Sequence, residues 1–207
     1  MLKYFFPLVV LTTFSAFSQA NDCQFDDVTF HDDFSTARVS TCERLAKHEY
    51  HIGILPENEP VNPSPWFGFK VQSEQNAQIK IKLTFNGNTP RYLPKLSANG
   101  TQWQNIPFDT KGKEMWISLN TGKEPIWVSA QEVIDNQEYD NWLASLKNQQ
   151  PTLEIETLGL SEKGRPIKAL VKQSAKNKEW LVIIGRQHPP EVTGAMALFA
   201  FSEAQLL

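Results

Sequence analysis

The chain has 207 residues, with 20 Lys and Arg against 23 Asp and Glu and a formal net charge of -3. That length allows one or two domains, and the mild acidity, without a basic patch or stripe, excludes a protein held to nucleic acid by phosphate contacts. Thirteen prolines and ten glycines, spread between short apolar runs with no repeat or low-complexity tract, point to a strand-rich fold.

Residues 1–20, MLKYFFPLVVLTTFSAFSQA, carry Lys3 near the start, an apolar stretch from Tyr4 to Phe17, and small residues at Ser18 and Ala20. This is the pattern of an export signal, with cleavage expected after Ala20. The apolar stretch is short for a bilayer span, which takes ~20 residues. The mature chain is therefore expected in the periplasm or outside the cell, with no stable membrane anchor. The residues before Cys23 lack the apolar-then-small pattern of a lipid-modified cysteine. In an oxidising compartment Cys23 and Cys42 are expected to form a disulfide. Metal binding by the two is the other reading, although neither has a nearby CxxC partner.

From residue 22 to about 146 the sequence reads as β structure. Residues 49–55 (EYHIGIL), 66–73 (WFGFKVQS) and 77–85 (AQIKIKLTF) are short and rich in β-branched or aromatic side chains. In the third, Ile79, Ile81, Leu83 and Phe85 alternate with Lys80, Lys82 and Thr84, the period of a half-buried strand. NGN at 86–88 and ANGT at 98–101 are turn signals. Residues 114–119 (EMWISL) and 125–130 (PIWVSA) are further strands, joined by NTGKE. Short strands with regular turns predict an antiparallel β-sandwich. Trp66, Trp116 and Trp127 sit in apolar runs and are expected in its core. Trp103, in the turn-like NGTQWQN, is the exposed candidate for a sugar-binding surface.

The character changes at residues 137–151, where Tyr139, Trp142, Leu143 and Leu146 recur at helical spacing. Pro151 ends that helix or a linker after it, which places the boundary between an accessory domain at 21–150 and a second unit at 151–207. The second unit opens with a strand at 152–159 (TLEIETLG), a turn containing Gly164, and a strand at 167–173 (IKALVKQ). WLVIIG at 180–185 is a near-continuous apolar run, as in strands buried on both faces of an α/β sheet. A helix follows from the prolines at 189 and 190, with Met196, Leu198, Phe199 and Leu206 available to pack inward.

Between that run and that helix lies GRQHPPE. His188 and Glu191 stand where a buried strand would give way to a helix, the place where open α/β sheets bind ligands. Imidazole nitrogen and carboxylate oxygen both suit zinc. A surface histidine beside a glutamate that caps a helix N-terminus, where negative charge is favoured, is the plainer reading.

Taken together, ETLGLSEKGRPIKAL and WLVIIGRQHPPEVTGAMAL resemble the opening of the catalytic domain of zinc carboxypeptidases. There a strand, an S-x-x-G-R-x-I turn and a second strand precede an apolar strand ending in H-P-x-E. The matching positions are Ser161, Gly164, Arg165 and Ile167, then His188, Pro189 and Glu191. SPWFGFKV and RYLPKLSANGTQWQNIPF resemble the β-sandwich that precedes this domain in the cytosolic-carboxypeptidase-like branch. The resemblance implies an α/β/α catalytic domain, a Zn2+ cofactor and a peptide or protein C-terminus as substrate. It makes His188 and Glu191 the first two zinc ligands. The family's second zinc histidine, general-base glutamate and carboxylate-binding residues lie further downstream than Leu207, so the chain is expected to be the N-terminal portion only, inactive as it stands. His31, His48 and His51 all fall in the sandwich, and His48 and His51 would face opposite ways on an extended strand. Pro190 departs from members that carry arginine before the glutamate ligand. Arg165 is read as a loop anchor, with substrate contact as the alternative. A different class of function also fits: a non-catalytic exported β-sandwich that binds peptide or carbohydrate.

Overall fold

The computed structural model describes residues 23–56, 63–173 and 179–206. The expected export signal at 1–20 lies outside the described residues. Ten strands between residues 28 and 129 form two five-stranded sheets. One has the order β2 (Thr41–Ala46), β3 (Glu49–Ile54), β5 (Ala77–Phe85), β9 (Glu114–Thr121) and β8 (Phe108–Lys111). The other runs β1 (Val28–His31), β4 (Gly68–Ser73), β10 (Ile126–Ser129), β6 (Lys95–Ser97) and β7 (Gln104–Asn105).

β5 shows how the sequence specifies this arrangement. Its apolar set, Ile79, Ile81, Leu83 and Phe85, is buried to within 2% of full exclusion from solvent, while Gln78 and Lys80 face out. Because side chains alternate along a strand, a slip of one residue would expose the whole set. Each such side chain contributes roughly 1.5–3 kcal/mol of burial. Rings from both sheets meet in the same core: Phe30 of β1 lies 5.4 Å from Tyr50 of β3, and Phe67 lies 5.9 Å from Phe85 of β5.

Two features differ from a purely antiparallel reading with tryptophans inside. β3 and β5 pair in parallel, because the chain crosses to the other sheet to make β4 before it returns. Trp116 and Trp127 lie on outer faces, half-buried, under lysine ammonium groups: Lys80 Nζ is 4.5 Å from the Trp116 ring centre and Lys70 Nζ is 5.4 Å from that of Trp127. The alternation of β9 buries Met115, Ile117 and Leu119, which leaves Trp116 on the opposite face. Cys23 and Cys42 form a disulfide across Cα atoms 5.3 Å apart, tying the start of the described chain to β2.

Helix α1 (Asn136–Gln149) begins at Asp135, whose carboxylate accepts from the N–H groups of Gln137 and Glu138 at 2.9 and 3.1 Å. Such a cap satisfies donors that the first helical turn leaves unpaired. Leu143 and Leu146 are buried, and Trp142 and Tyr139 point toward helix α2 (Val192–Leu206). Between the helices, β11 (Glu154–Leu160) and β12 (Pro166–Val171) form an antiparallel hairpin. Gly164 adopts φ +72° in its turn, a backbone region that disfavours any side chain.

The strand expected at 180–185 is not formed. Among the described residues this run has no ladder partner, and Trp180, Leu181 and Ile184 are 68%, 81% and 70% exposed. An apolar run becomes a strand only where its backbone groups find a neighbour. Of the α2 residues expected to pack inward, Leu198, Phe199 and Leu206 are half-buried and Met196 is not. Val192, Ala195 and Ser202 are buried and Phe199 is half-buried, whereas Met196 is 44% exposed. No described helix is long and apolar enough to cross a membrane.

Candidate functional site

The loop from Gly185 to Glu191 turns the chain from the exposed apolar run into α2. Two glycines make the turn possible. A Cβ on Gly185 would lie 2.9 Å from the Cβ of Leu198, and one on Gly194 would lie 3.3 Å from the Arg186 nitrogen. Loop and helix backbone thus approach more closely than side chains would permit. Arg186 takes φ +51°, an uncommon conformation for a residue with a Cβ.

Within the turn, the Glu191 N–H donates to the His188 carbonyl at 3.1 Å, and the Glu191 carbonyl accepts from Gly194 at 3.0 Å as the helix starts. The Glu191 carboxylate folds back over the loop. One oxygen accepts from the His188 backbone N–H at 3.2 Å, and the other lies 2.8 Å from His188 Nδ1. A carboxylate is only an acceptor, so the contact puts a proton on Nδ1 and leaves Nε2 open. The hydrogen bond from the His188 side chain, then that from its backbone, holds the Glu191 carboxyl below its ordinary value of 4.5. Both side chains reach solvent, at 72% and 48% exposure, so an incoming ion has access.

Two donors on one tetrahedral zinc ion, each at ~2.0–2.1 Å, stand about 3.4 Å apart. The observed 2.8 Å is about 0.6 Å short of that spacing, and the donor set is one that zinc accepts. Among the described residues no group of three or more His, Cys, Asp or Glu is gathered at one place. The other histidines lie among the two sheets, His31 in β1, His51 in β3 and His48 just before β3. His51 Nε2 lies 2.7 Å from the Thr84 hydroxyl, and His48 Nδ1 lies 3.7 Å from Asp27. Trp103 is half-buried rather than freely exposed. Arg165 anchors its turn through its backbone: its N–H donates to Ser161 Oγ at 3.0 Å, and its carbonyl accepts from the Ser161 N–H at 2.8 Å.

Three residues that sequence reasoning missed frame the loop. Arg186 Nε and Nη2 donate to the Pro189 carbonyl at 3.0 and 2.8 Å, and its Nη1 donates to the Ile134 carbonyl. Gln131 Nε2 donates to the Pro190 carbonyl at 3.3 Å. Ile134 packs with Val192 and Ala195 in a small core that Trp66, Tyr139 and Phe199 complete. Nothing local in the sequence marks the contacts to Ile134 and from Gln131, which join positions more than 50 residues apart.

No protein-family model matches the chain, and no curated protein matches it. Solved structures do. A metallo-carboxypeptidase from Burkholderia cenocepacia superposes with a TM-score of 0.72 at 18% identity, over 86% of this chain and 49% of the other. A putative carboxypeptidase from Burkholderia mallei gives 0.70 at 19% identity, over 86% and 47%. A metallo-carboxypeptidase from Pseudomonas aeruginosa, solved in complex with (2-guanidinoethylmercapto)succinic acid, gives 0.61 at 16% identity, over 72% and 41%. The chain spans about half the length of the solved structures it matches, and it shares the fold of their N-terminal portion.

Proposed function

We propose that this chain supplies the first two metal ligands of a zinc carboxypeptidase, a hydrolase that removes the C-terminal residue of peptides or proteins. The observation that carries the reading is the His188–Glu191 pair, with nitrogen and oxygen donors 2.8 Å apart and open to solvent, on a fold shared with metallo-carboxypeptidases. Zinc bound there supplies Lewis-acid polarisation of the scissile carbonyl and a water of lowered pKa. His188 and Glu191 would hold the ion; ligation through Nδ1 would need the neutral imidazole with its proton on Nε2 and the ionised carboxylate, so protonation of either group would weaken metal uptake.

A catalytic zinc commonly has three protein ligands. In this reading the third ligand, the general base and the arginine that clamps the substrate carboxylate are supplied from beyond residue 207. Residues 21–150 serve as an accessory β-sandwich, residues 151–207 open the α/β/α catalytic domain, and the protein acts in the periplasm or outside the cell after cleavage at Ala20. Residues 21–207 alone are expected to release no C-terminal amino acid above background.

The test is to sequence the DNA downstream of codon 207, express the full open frame, and assay release of C-terminal residues from peptides with added zinc. Zinc-dependent release that His188→Ala abolishes is expected. A full frame that adds no histidine ligand and yields no release overturns the reading, and leaves a non-catalytic binding protein.

A further inference from the structure

We infer that Arg186 is a positioning residue for the metal-binding loop, locking His188 and Glu191 to the segment that joins the accessory sheets to α1. The inference rests on the zinc reading above and adds to it a residue that is not a ligand.

The geometry is that of a three-point clamp. The guanidinium is planar and presents its donors in a fixed fork. Here two of them, Nε and Nη2, converge on the Pro189 carbonyl at 3.0 and 2.8 Å, between the two ligands in sequence, while Nη1 reaches the Ile134 carbonyl in the connector before α1. Gln131, three residues earlier in the same connector, holds the next carbonyl of the loop, that of Pro190, at 3.3 Å. The peptide groups on both sides of Pro190 are therefore fixed from one neighbouring segment. Beneath them, Val192 and Ala195 are fully buried against Ile134, so connector and helix start share a small core as well as the hydrogen bonds.

The conformation of Arg186 supports a dedicated role. It stands at φ +51°, where a residue with a Cβ is uncommon, and the close approach of Gly185 and Gly194 allows that turn. The unfavourable backbone aims the side chain back across its own loop, where it meets Pro189. The pair it braces is otherwise exposed, at 72% and 48%. Exposed side chains held by their mutual hydrogen bonds alone would spend much of their time apart, and an ion would then have to order them on binding. A braced loop lowers that ordering cost, which is how residues around a metal site raise its affinity without touching the ion.

The experiment measures Zn2+ affinity of the purified chain by competition with a chromophoric chelator, for wild type, His188→Ala, Arg186→Ala, Arg186→Lys and Gln131→Ala. Circular dichroism melts define a temperature at which every variant is folded, and amide hydrogen exchange reports on the loop. The inference expects Arg186→Ala to weaken zinc binding about 10-fold or more and to speed exchange of the Glu191 and Gly194 amides, with β5 amides unchanged. Arg186→Lys, which can keep one of the bonds, is expected to recover part of the affinity. Gln131→Ala gives a smaller loss through an independent contact and serves where Arg186→Ala does not fold. Wild-type zinc affinity in both Arg186→Ala and Gln131→Ala overturns the inference while leaving the zinc reading intact. Unchanged zinc affinity in His188→Ala overturns the zinc reading itself, and the inference with it.

Discussion

Phe199 is the joint that holds α2, and with it the His188–Glu191 loop, against α1. Its ring stacks on Trp142 at 4.3 Å with planes 23° apart, and meets Tyr139 edge-on at 5.0 Å and 78°. Aromatic pairs of this kind contribute ~0.5–1.5 kcal/mol each beyond the area they bury. The half-buried ring adds about 1 kcal/mol of burial. Phe199→Ala should therefore weaken the docking of α2 by about 2–4 kcal/mol, with the Trp142–Glu203 hydrogen bond at 3.1 Å as a contact that remains. Because α2 belongs to a separate small core around Ile134, the loss should be local. Native-state hydrogen exchange reads it directly, since regions open with their own free energies. Amides of α2 should exchange about 30-fold to 1,000-fold faster, while those of Ile81 and Leu83 in β5 keep their wild-type rates. Wild-type protection throughout α2, or a parallel loss in β5, would refute the reasoning: the first would mean that the aromatic joint does not hold the helix, the second that the two cores unfold as one.

The disulfide closes a loop with a sequence separation of 19, which the chain-entropy relation values at about 3 kcal/mol. Replacing Cys23 and Cys42 together by serine should lower Tm by about 6–12 °C in calorimetry, and an unchanged Tm would contradict that. Glu191 titrates below its ordinary value of 4.5 because of its hydrogen bonds from His188. The stability this pair contributes is thus fully present above 4.5 and is lost as the pH falls through the lower folded value. A carboxyl NMR titration of Glu191 with its midpoint at or above 4.5 would show that the pair does not form. Leu158, Leu160, Trp180, Leu181 and Ile184 are each at least 66% exposed, a concentration of apolar surface that monomers avoid. The chain should self-associate in light scattering, with Leu181→Lys and Ile184→Lys together reducing the apparent mass; a monodisperse monomeric wild type would count against it.

Strand periodicity in the sequence was informative where a strand has one buried face. β5 matched its expected span and faces residue for residue, and β3, β4, β9 and β10 matched within about two residues at each end. β1 does alternate, burying Val28 and Phe30, but is only four residues long, whereas β2, β6, β7 and β8 carried no such signal. β7 and β8 bury almost nothing, and β2 is exposed along nearly its whole length, so apolar alternation had nothing to record. Trp116 and Trp127 were misplaced because an apolar neighbourhood does not say which face a large ring takes; a lysine on the neighbouring strand makes an outer face favourable. WLVIIG reads as a buried strand by composition, yet composition does not supply a ladder partner. At the candidate site, the two donor residues were legible as a motif. The clamp of Arg186 and the brace from Gln131 were not, because both reach across the chain to backbone atoms, which leave no trace in residue type.

The central claim is that His188 and Glu191 bind one zinc ion together. Zinc X-ray absorption on the purified chain, loaded with one equivalent of Zn2+, tests it most directly. The account predicts an imidazole nitrogen at ~2.0–2.1 Å and a carboxylate oxygen at ~2.0–2.2 Å, with the imidazole signature lost in His188→Ala and the oxygen shell altered in Glu191→Ala. Spectra of the two variants identical to that of the wild type would contradict it.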